Sequence, residues 1–228
     1  MPDHDQIYSS EAAAYHQMIA RQPSLEPYIR EIRPIDGLDI VDLGAGTGRF
    51  AVMLAPRAKS LTALDASAAM LDITAQRLTG AGLTNWTTKT ADNRSLPLAD
   101  SSADLIVAGW TVCYVAESGK PDWENNLAAV IAEMKRVLRP GGTIILFETM
   151  GTGTETPDPP HFLKEYYKSL VEQYGFSHRW IRTDYQFGSL AEAKETASFF
   201  FSDELANRVE TNNWVSLPEC AGIWWLHV

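Results

Sequence analysis

Strand-like and helix-like segments alternate from about residue 38 to residue 148 of this chain of 228 residues. Short apolar runs are typical of buried strands, and the segments between them carry apolar residues at helical spacing. Alternation of this kind indicates an α/β fold, in which helices cover both faces of a mostly parallel sheet. We therefore predict an α/β core for this part of the chain.

The predicted core has five strands with helices between them. We predict strands at 38–43, 60–64, 86–89, 104–109 and 143–147, and helices at 49–58, 68–78 and 123–138. The sequence "RPGG" at 139–142 ends the last of these helices, because proline cannot continue a helix and glycine turns readily. Beyond residue 150, a turn-rich loop is predicted to precede a helix at 163–174, a strand at 179–187, a helix at 190–200 and a final strand at 222–228.

The length suits a single domain, 1–228, which we divide into three parts. Residues 1–35 form an N-terminal helical segment, 36–150 the core of the sheet, and 151–228 a loop, helices and final strands. The alanine-rich stretch 7–23 predicts a helix, either as a lid or as an outer packing helix.

The charge and the apolar runs exclude several classes of protein. With 29 acidic and 19 basic residues, the net charge of −10 disfavours nucleic acid as a partner. No apolar run approaches the length of a membrane span, and the first residues lack the pattern of a signal peptide, so we expect a cytoplasmic protein without a membrane partner. Cys113 and Cys220 are predicted to be free thiols, and no metal site is suggested. A monomer and a homodimer both remain open.

A glycine-rich turn, "VDLGAGTGRF" at 41–50, follows the first strand. Glycine allows the backbone to approach a ligand closely, because it lacks a Cβ atom. Asp42 precedes this turn, and Asp65 ends the second strand at the spacing that brings a carboxylate to a ribose in a βαβ unit. A nicotinamide-dependent oxidoreductase uses a similar turn, but its G-x-G-x-x-G pattern is not met after Gly44.

Four motifs in chain order resemble the class I S-adenosylmethionine-dependent methyltransferases. They are "VDLGAGTG", "LTALDAS", "ADNRSLPLADSSADLIVAG" and "MKRVLRPGGTIIL". The chain is most similar to the branch that methylates small molecules, as in quinone biosynthesis. The resemblance implies S-adenosyl-L-methionine as cofactor and a Rossmann-like, mostly parallel sheet of seven strands whose last strand is antiparallel.

The resemblance also implies a set of cofactor-binding residues. Three consecutive residues from Gly44 would pack on the methionine part, Asp65 would bind the ribose, and Met70 would cover the adenine. The full set is Asp42, Gly44, Ala45, Gly46, Asp65, Ala66, Met70, Asp92, Asn93, Trp110 and Thr111. Two plainer interpretations stay open, since Asp65 also suits a capping residue and Met70 suits the core.

The acceptor is predicted to be a small, neutral or apolar molecule. Aromatic residues near the expected mouth of the site favour a flat acceptor, and the predicted substrate contacts are Tyr8, Tyr15, Trp110, Tyr114 and Tyr166. His161 follows the long loop and is the predicted catalytic base, needed only if the acceptor must lose a proton. The alternatives to methyl transfer are a nicotinamide-dependent oxidoreductase and a cofactor-binding protein without turnover.

Overall fold

The computed structural model describes residues 11–228. The strands are β1 (Asp39–Leu43), β2 (Ser60–Asp65), β3 (Trp86–Thr90), β4 (Ala103–Gly109), β5 (Leu138–Thr152), β6 (Ser177–Arg182), β7 (Tyr185–Gln186), β8 (Ser216–Leu217) and β9 (Glu219–His227). The α-helices are α1 (Ala12–Ile19), α2 (Glu26–Ile32), α3 (Arg49–Leu54), α4 (Ala68–Gly80), α5 (Cys113–Ala116), α6 (Trp123–Val137), α7 (Lys164–Glu172), α8 (Leu190–Phe200) and α9 (Asp203–Thr211). A short 3-10 helix covers His161–Leu163.

Seven of these strands form one sheet in the order β3-β2-β1-β4-β5-β9-β6. The strands from β3 to β5 pair in parallel, and β9 lies antiparallel between β5 and β6. Strands β7 and β8 form a separate antiparallel pair. The predicted α/β fold, with a mostly parallel seven-stranded sheet and an antiparallel last strand, is confirmed.

Helices cover both faces of this sheet. The neighbouring β4 residues Leu105 and Ile106 point to opposite faces and belong to two different buried clusters. Val130 of α6 packs in the cluster of Ile106, whereas Phe50 of α3 packs in that of Leu105. The apolar stripe of each helix therefore fixes the face that it covers.

The direction of the chain reverses at β1. From β1 the chain moves outward through β2 and β3, and then returns to β4 on the opposite side of β1. Such a switch point leaves a crevice outside the carboxyl ends of the two central strands, which is where ligands bind in open α/β sheets. The turn at 44–48 follows β1 and Trp110 follows β4, so both border this crevice.

Several elements differ from their predicted bounds. Strand β5 extends over Leu138–Thr152 rather than 143–147. At its end it pairs with β9 as far as Thr152. At its start it pairs with Ala103 through Leu138, and the "RPGG" stretch forms a register shift before pairing resumes at Thr143. The predicted strand 179–187 is divided, since β6 belongs to the large sheet and β7 pairs with β8. Helices α2 and α9 were not predicted, although α2 has proline in its first turn and Ser202 caps α9.

A third buried cluster joins the N-terminal helix to the C-terminal part of the chain. Met18 and Ile19 of α1 pack with Ala197 and Phe200 of α8 and with residues of α9. Of the predicted helix 7–23, Ala12–Ile19 is helical, and this helix packs on the C-terminal segment. Among residues 11–228, we find no helix with the length and apolar character needed to cross a membrane.

Candidate functional site

The glycine-rich turn is built from left-handed backbone. Gly44, Gly46 and Gly48 have φ angles of 66°, 54° and 82°, a region that favours glycine. A Cβ atom on Gly44 would overlap the side chain of Thr111, which follows β4. A Cβ atom on Gly46 would have Tyr15 Cε1, at 4.0 Å, as its nearest neighbour. Gly44 therefore lets the ends of β1 and β4 meet, whereas Gly46 leaves open space beside Tyr15.

Asp65 links this turn to helix α4. Its Oδ2 accepts a hydrogen bond from the N–H of Gly46 at 2.8 Å, and its Oδ1 accepts one from the N–H of Ser67 at 2.8 Å. Burial raises the pKa of Asp65, against the effect of these backbone donors. Because each carboxylate oxygen accepts more than one hydrogen bond, capacity for further donors remains.

Asp42 lies deeper than the sequence suggested. Its side chain is fully buried, and its Oδ2 accepts a hydrogen bond from the N–H of Ala51 in α3 at 2.8 Å. Its Oδ1 has no hydrogen-bond partner among residues 11–228. Burial raises the pKa of Asp42 to about 7, and Asp65 adds to this shift. Asp42 therefore holds the first turn of α3 behind the glycine-rich turn.

Helix α4 supports the same turn from outside. Thr74 Oγ1 donates a hydrogen bond to the carbonyl oxygen of Gly46 at 2.8 Å, and Arg77 donates to the carbonyl oxygen of Thr47. Thr74 and Arg77 were not predicted as site residues. Their spacing from the predicted Met70, four and seven residues along the helix, places all three on one face, and this spacing was visible in the sequence.

The other predicted cofactor residues have varied surroundings. Met70 is buried, and Asn93 Nδ2 donates to Thr111 Oγ1 at 3.1 Å. The carboxylate of Asp92 is exposed and forms an ion pair with Arg94 at 2.6 Å. Ala45 is buried and Ala66 is exposed. The structure therefore brings Gly44, Thr111 and Asn93 together, whereas Asp92 contacts Arg94.

Trp110 lies at the end of β4 with a strained backbone. Its φ of 51° is rare for a bulky residue, and such strain is often found at functional sites. The ring stacks on Phe147 at a centroid distance of 6.3 Å, and the guanidinium of Arg49 lies 4.6 Å from the centroid of the indole. Trp110 therefore forms a rigid aromatic wall next to the glycine-rich turn.

Comparison with known proteins shows which family the chain resembles. A family model described as a methyltransferase domain matches residues 41–146, which include the turn, Asp65 and Trp110. Malonyl-[acyl-carrier protein] O-methyltransferase of Serratia marcescens is 35% identical over 118 residues, which are 52% of this chain and 40% of that protein. Residues 41–146 therefore match a methyltransferase domain, and the chain has the Rossmann-like fold of such a protein.

A second named relative and a solved structure agree with this result. The ubiquinone/menaquinone biosynthesis C-methyltransferase of Rubrivivax gelatinosus is 31% identical over 121 residues, 53% of this chain and 43% of that protein. The crystal structure of a methyltransferase from Aquifex aeolicus shares the fold, with a TM-score of 0.57 at 16% identity, covering 99% of this chain and 94% of that one. The chain spans about half or less of the length of the curated relatives.

A buried polar cluster next to the β4–β5 pair was missed by the sequence analysis. Glu148, on β5, is 1% exposed, and its Oε1 accepts hydrogen bonds from the N–H of Cys113 at 3.0 Å and from the hydroxyl of Tyr166 at 3.2 Å. Burial raises the pKa of Glu148 to about 7. Tyr166, predicted to contact substrate, is itself fully buried. No motif marks these three residues, because they are distant from one another in the sequence.

The remaining predicted residues occupy different depths. Tyr15 is half-buried, with its ring centroid 5.5 Å from that of Phe200, and Tyr114 is 37% exposed. His161 is exposed at the start of the 3-10 helix, which Ser118 joins to the end of α5 by hydrogen bonds to the carbonyl oxygen of Phe162. Tyr8 lies outside the described residues. Within 11–228, no group of acidic, histidine and cysteine side chains suits a metal ion, and both cysteines are free.

Proposed function

We propose that this protein transfers the methyl group of S-adenosylmethionine to a small-molecule acceptor. The observation that carries the proposal is the pairing of Gly46 with Asp65 at the carboxyl ends of β1 and β2. It sets a carboxylate beside open backbone at the switch point of the sheet, where cofactors of α/β enzymes bind.

The residues of the crevice fit this cofactor. Gly46 offers space that a side chain would fill, and Asp65 retains lone pairs for two ribose hydroxyls. Asn93 and Asp92 would bind the adenine edge, and Met70 would cover one adenine face. Backbone from Gly44 to Gly46 would hold the methionine part, with Asp42, Ala66, Trp110 and Thr111 completing the wall of the site.

Methyl transfer would require mainly that the acceptor is held in position and that water is excluded from the site. The cofactor supplies an activated methyl group on a sulfonium sulfur. Trp110 and Tyr15 would hold the acceptor against the glycine-rich turn and exclude water, so that proximity and desolvation accelerate transfer. His161 would take a proton from an acceptor such as a phenol or an enol, and it would be dispensable for an acceptor that loses none.

The nature of the acceptor is supported by charge and by the relatives. A net charge of −10 disfavours polyanions such as nucleic acid. The relatives are named for O-methylation of a malonyl group on an acyl-carrier protein and for C-methylation in ubiquinone and menaquinone biosynthesis. We propose that the protein acts in the cytoplasm, as a monomer or homodimer, on an acceptor of small size.

The test begins with the cofactor. The melting temperature is measured with S-adenosylmethionine, S-adenosylhomocysteine and a nicotinamide dinucleotide, and a panel of small acceptors is then screened for methylated product. A rise with the first two ligands only, followed by methylated product, supports the proposal. A rise with the dinucleotide alone would identify an oxidoreductase, and cofactor binding without product from any acceptor would identify a binding protein.

A further inference from the structure

The guanidinium of Arg49 is enclosed without a full set of hydrogen-bond partners. Its Nη1 donates to Gln22 Oε1 at 2.7 Å, and its flat face lies over Trp110. Its Nη2 is shielded from solvent and has no hydrogen-bond partner among the described residues. A buried cationic donor without a partner is costly, so its position favours a ligand that supplies an acceptor atom.

The nearby acid does not neutralise Arg49. Burial lowers the pKa of Arg49, and the charge of Glu219, the first residue of β9, opposes this change. No ion pair within 4.0 Å joins the two side chains in the described part of the chain. Glu219 Oε1 accepts a hydrogen bond from Thr149 at 3.1 Å, and its buried Oε2 has no hydrogen-bond partner between residues 11 and 228. Burial raises the pKa of Glu219 to about 8, so the carboxyl group is mostly neutral at neutral pH.

Arg49 lies close to residues that we assign to the methyl-transfer site. Arg49 follows directly on the glycine-rich turn, and its charge opposes the rise in the pKa of Tyr15 that burial causes. Tyr15 in turn is the nearest neighbour of the position that a Cβ atom on Gly46 would take. Arg49, Trp110 and Tyr15 therefore border one region, on the side of the turn where an acceptor would meet the cofactor.

We infer that the methyl acceptor carries a carboxylate, which binds the free Nη2 of Arg49. One guanidinium nitrogen and a single positive charge match a monoanion, because a charged N–H donor forms its strongest hydrogen bonds with an anionic oxygen. A dianionic phosphate would bring one more negative charge than the single guanidinium of Arg49 can balance. This inference rests on the proposed function and replaces the expected neutral acceptor with an anionic one.

The test compares carboxylates with their amides. Binding of benzoate, phenylacetate, benzamide, phenylacetamide and phenyl phosphate is measured by calorimetry in the presence of saturating S-adenosylhomocysteine. The proteins are wild type, Arg49→Gln, Arg49→Lys, and Arg57→Gln as a control at an exposed arginine. At least one carboxylate should bind wild type and the control more than about tenfold more tightly than its amide, and Arg49→Gln should lose this preference.

Each other result has a defined meaning. Equal binding of acid and amide, no binding of either carboxylate, or tighter binding of phenyl phosphate than of benzoate would overturn the inference. If Arg49→Gln does not fold, Arg49→Lys takes its place, because lysine keeps the charge but lacks the planar fork, and an unchanged preference there would also overturn it. Failure of wild type to bind S-adenosylhomocysteine would instead overturn the proposed function.

Discussion

The carboxylate of Asp65 accepts the backbone N–H of Gly46, so a residue predicted to bind ribose also holds the glycine-rich turn in place. The structural role of Asp65 is therefore seen in its backbone contacts, and its role in binding ribose stays a prediction. Its removal should weaken the cofactor site in two ways, through a lost contact and through a loosened turn.

Asp65→Ala is expected to weaken binding of S-adenosylhomocysteine by roughly 1.5 to 3 kcal/mol, the scale for lost hydrogen bonds to a charged group. Asp65→Asn should lie between this variant and wild type, since one amide oxygen replaces two carboxylate oxygens. Calorimetric titration measures the affinities, with Asp72→Ala on the exposed face of α4 as control. Unchanged affinity in a folded Asp65→Ala protein would refute the assignment.

The two glycines should respond differently to alanine. Gly44→Ala forces a Cβ atom into Thr111, so it should lower the melting temperature, whereas Gly46→Ala has open space and pays mainly for its positive φ, about 1 kcal/mol. Gly46→Ala should nevertheless lose cofactor affinity, because its methyl group enters the space assigned to the ligand. Melting curves and titrations with S-adenosylhomocysteine measure both effects. Full affinity in Gly46→Ala would contradict the placement of the cofactor.

Glu148→Gln should reveal the pH dependence of the buried cluster. The fold raises the pKa of Glu148 from about 4.5 to about 7, so its contribution to stability is complete below about pH 4.5 and is lost as pH rises through 7. Glutamine cannot ionise. The wild type should therefore lose stability with rising pH while the variant does not. The stability of the variant relative to wild type should rise by up to about 3 kcal/mol between about pH 4.5 and pH 8.

Glu133→Gln is the matched control for this experiment. The hydrogen bond from Arg136 holds the pKa of Glu133 below its usual value, so Glu133 contributes stability above its ordinary pKa that is lost as pH falls. Its variant should show the opposite trend in denaturant unfolding across the same pH range. Parallel trends in the two variants would show that the Glu148 carboxyl group is not held neutral by burial.

Trp110→Ala should raise the acceptor KM strongly and should also weaken binding of S-adenosylhomocysteine, because Trp110 is assigned to both the acceptor and the cofactor. The indole forms a wall on which Arg49 rests, and alanine removes both the wall and its contact with Phe147. Steady-state kinetics on an acceptor found by screening measure the effect, and Trp110→Phe, which keeps an aromatic face, should recover much of it. An unchanged KM in the alanine variant would exclude this wall from the acceptor site.

His161→Ala tests the predicted base. Turnover of an acceptor that must lose a proton should fall, with cofactor affinity unchanged, because the imidazole side chain that would take the proton is removed. Lys164→Ala, at an exposed position one helical turn away, controls for general effects on this surface. Equal turnover in wild type and His161→Ala on such an acceptor would remove His161 from the mechanism.

The sequence predicted local features well and distant pairings poorly. The apolar runs and the glycine-rich turn were sufficient to predict β1, α3 and the order of strands and helices in the core, since each of these patterns lies within about ten residues. The contact of Glu148 with Tyr166 joins β5 to α7, and no local pattern encodes it. The burial of Asp42 was equally hidden, because the sequence shows a carboxylate near the end of a strand but not the N–H of Ala51 that donates a hydrogen bond to it.

Helix α1 shares its apolar contacts with α8, and Arg21 just beyond it forms an ion pair with Glu192. Helices α1 and α8 are therefore coupled by direct contacts, and Tyr15 of α1 lies beside Gly46 in the glycine-rich turn. Any opening that admits a ligand past Tyr15 must displace the α8 contacts of α1 or carry α8 along with it. Amide hydrogens of Ala12–Ile19 and Leu190–Phe200 should thus slow their exchange with solvent together when ligand binds, although 170 residues of chain lie between the two helices.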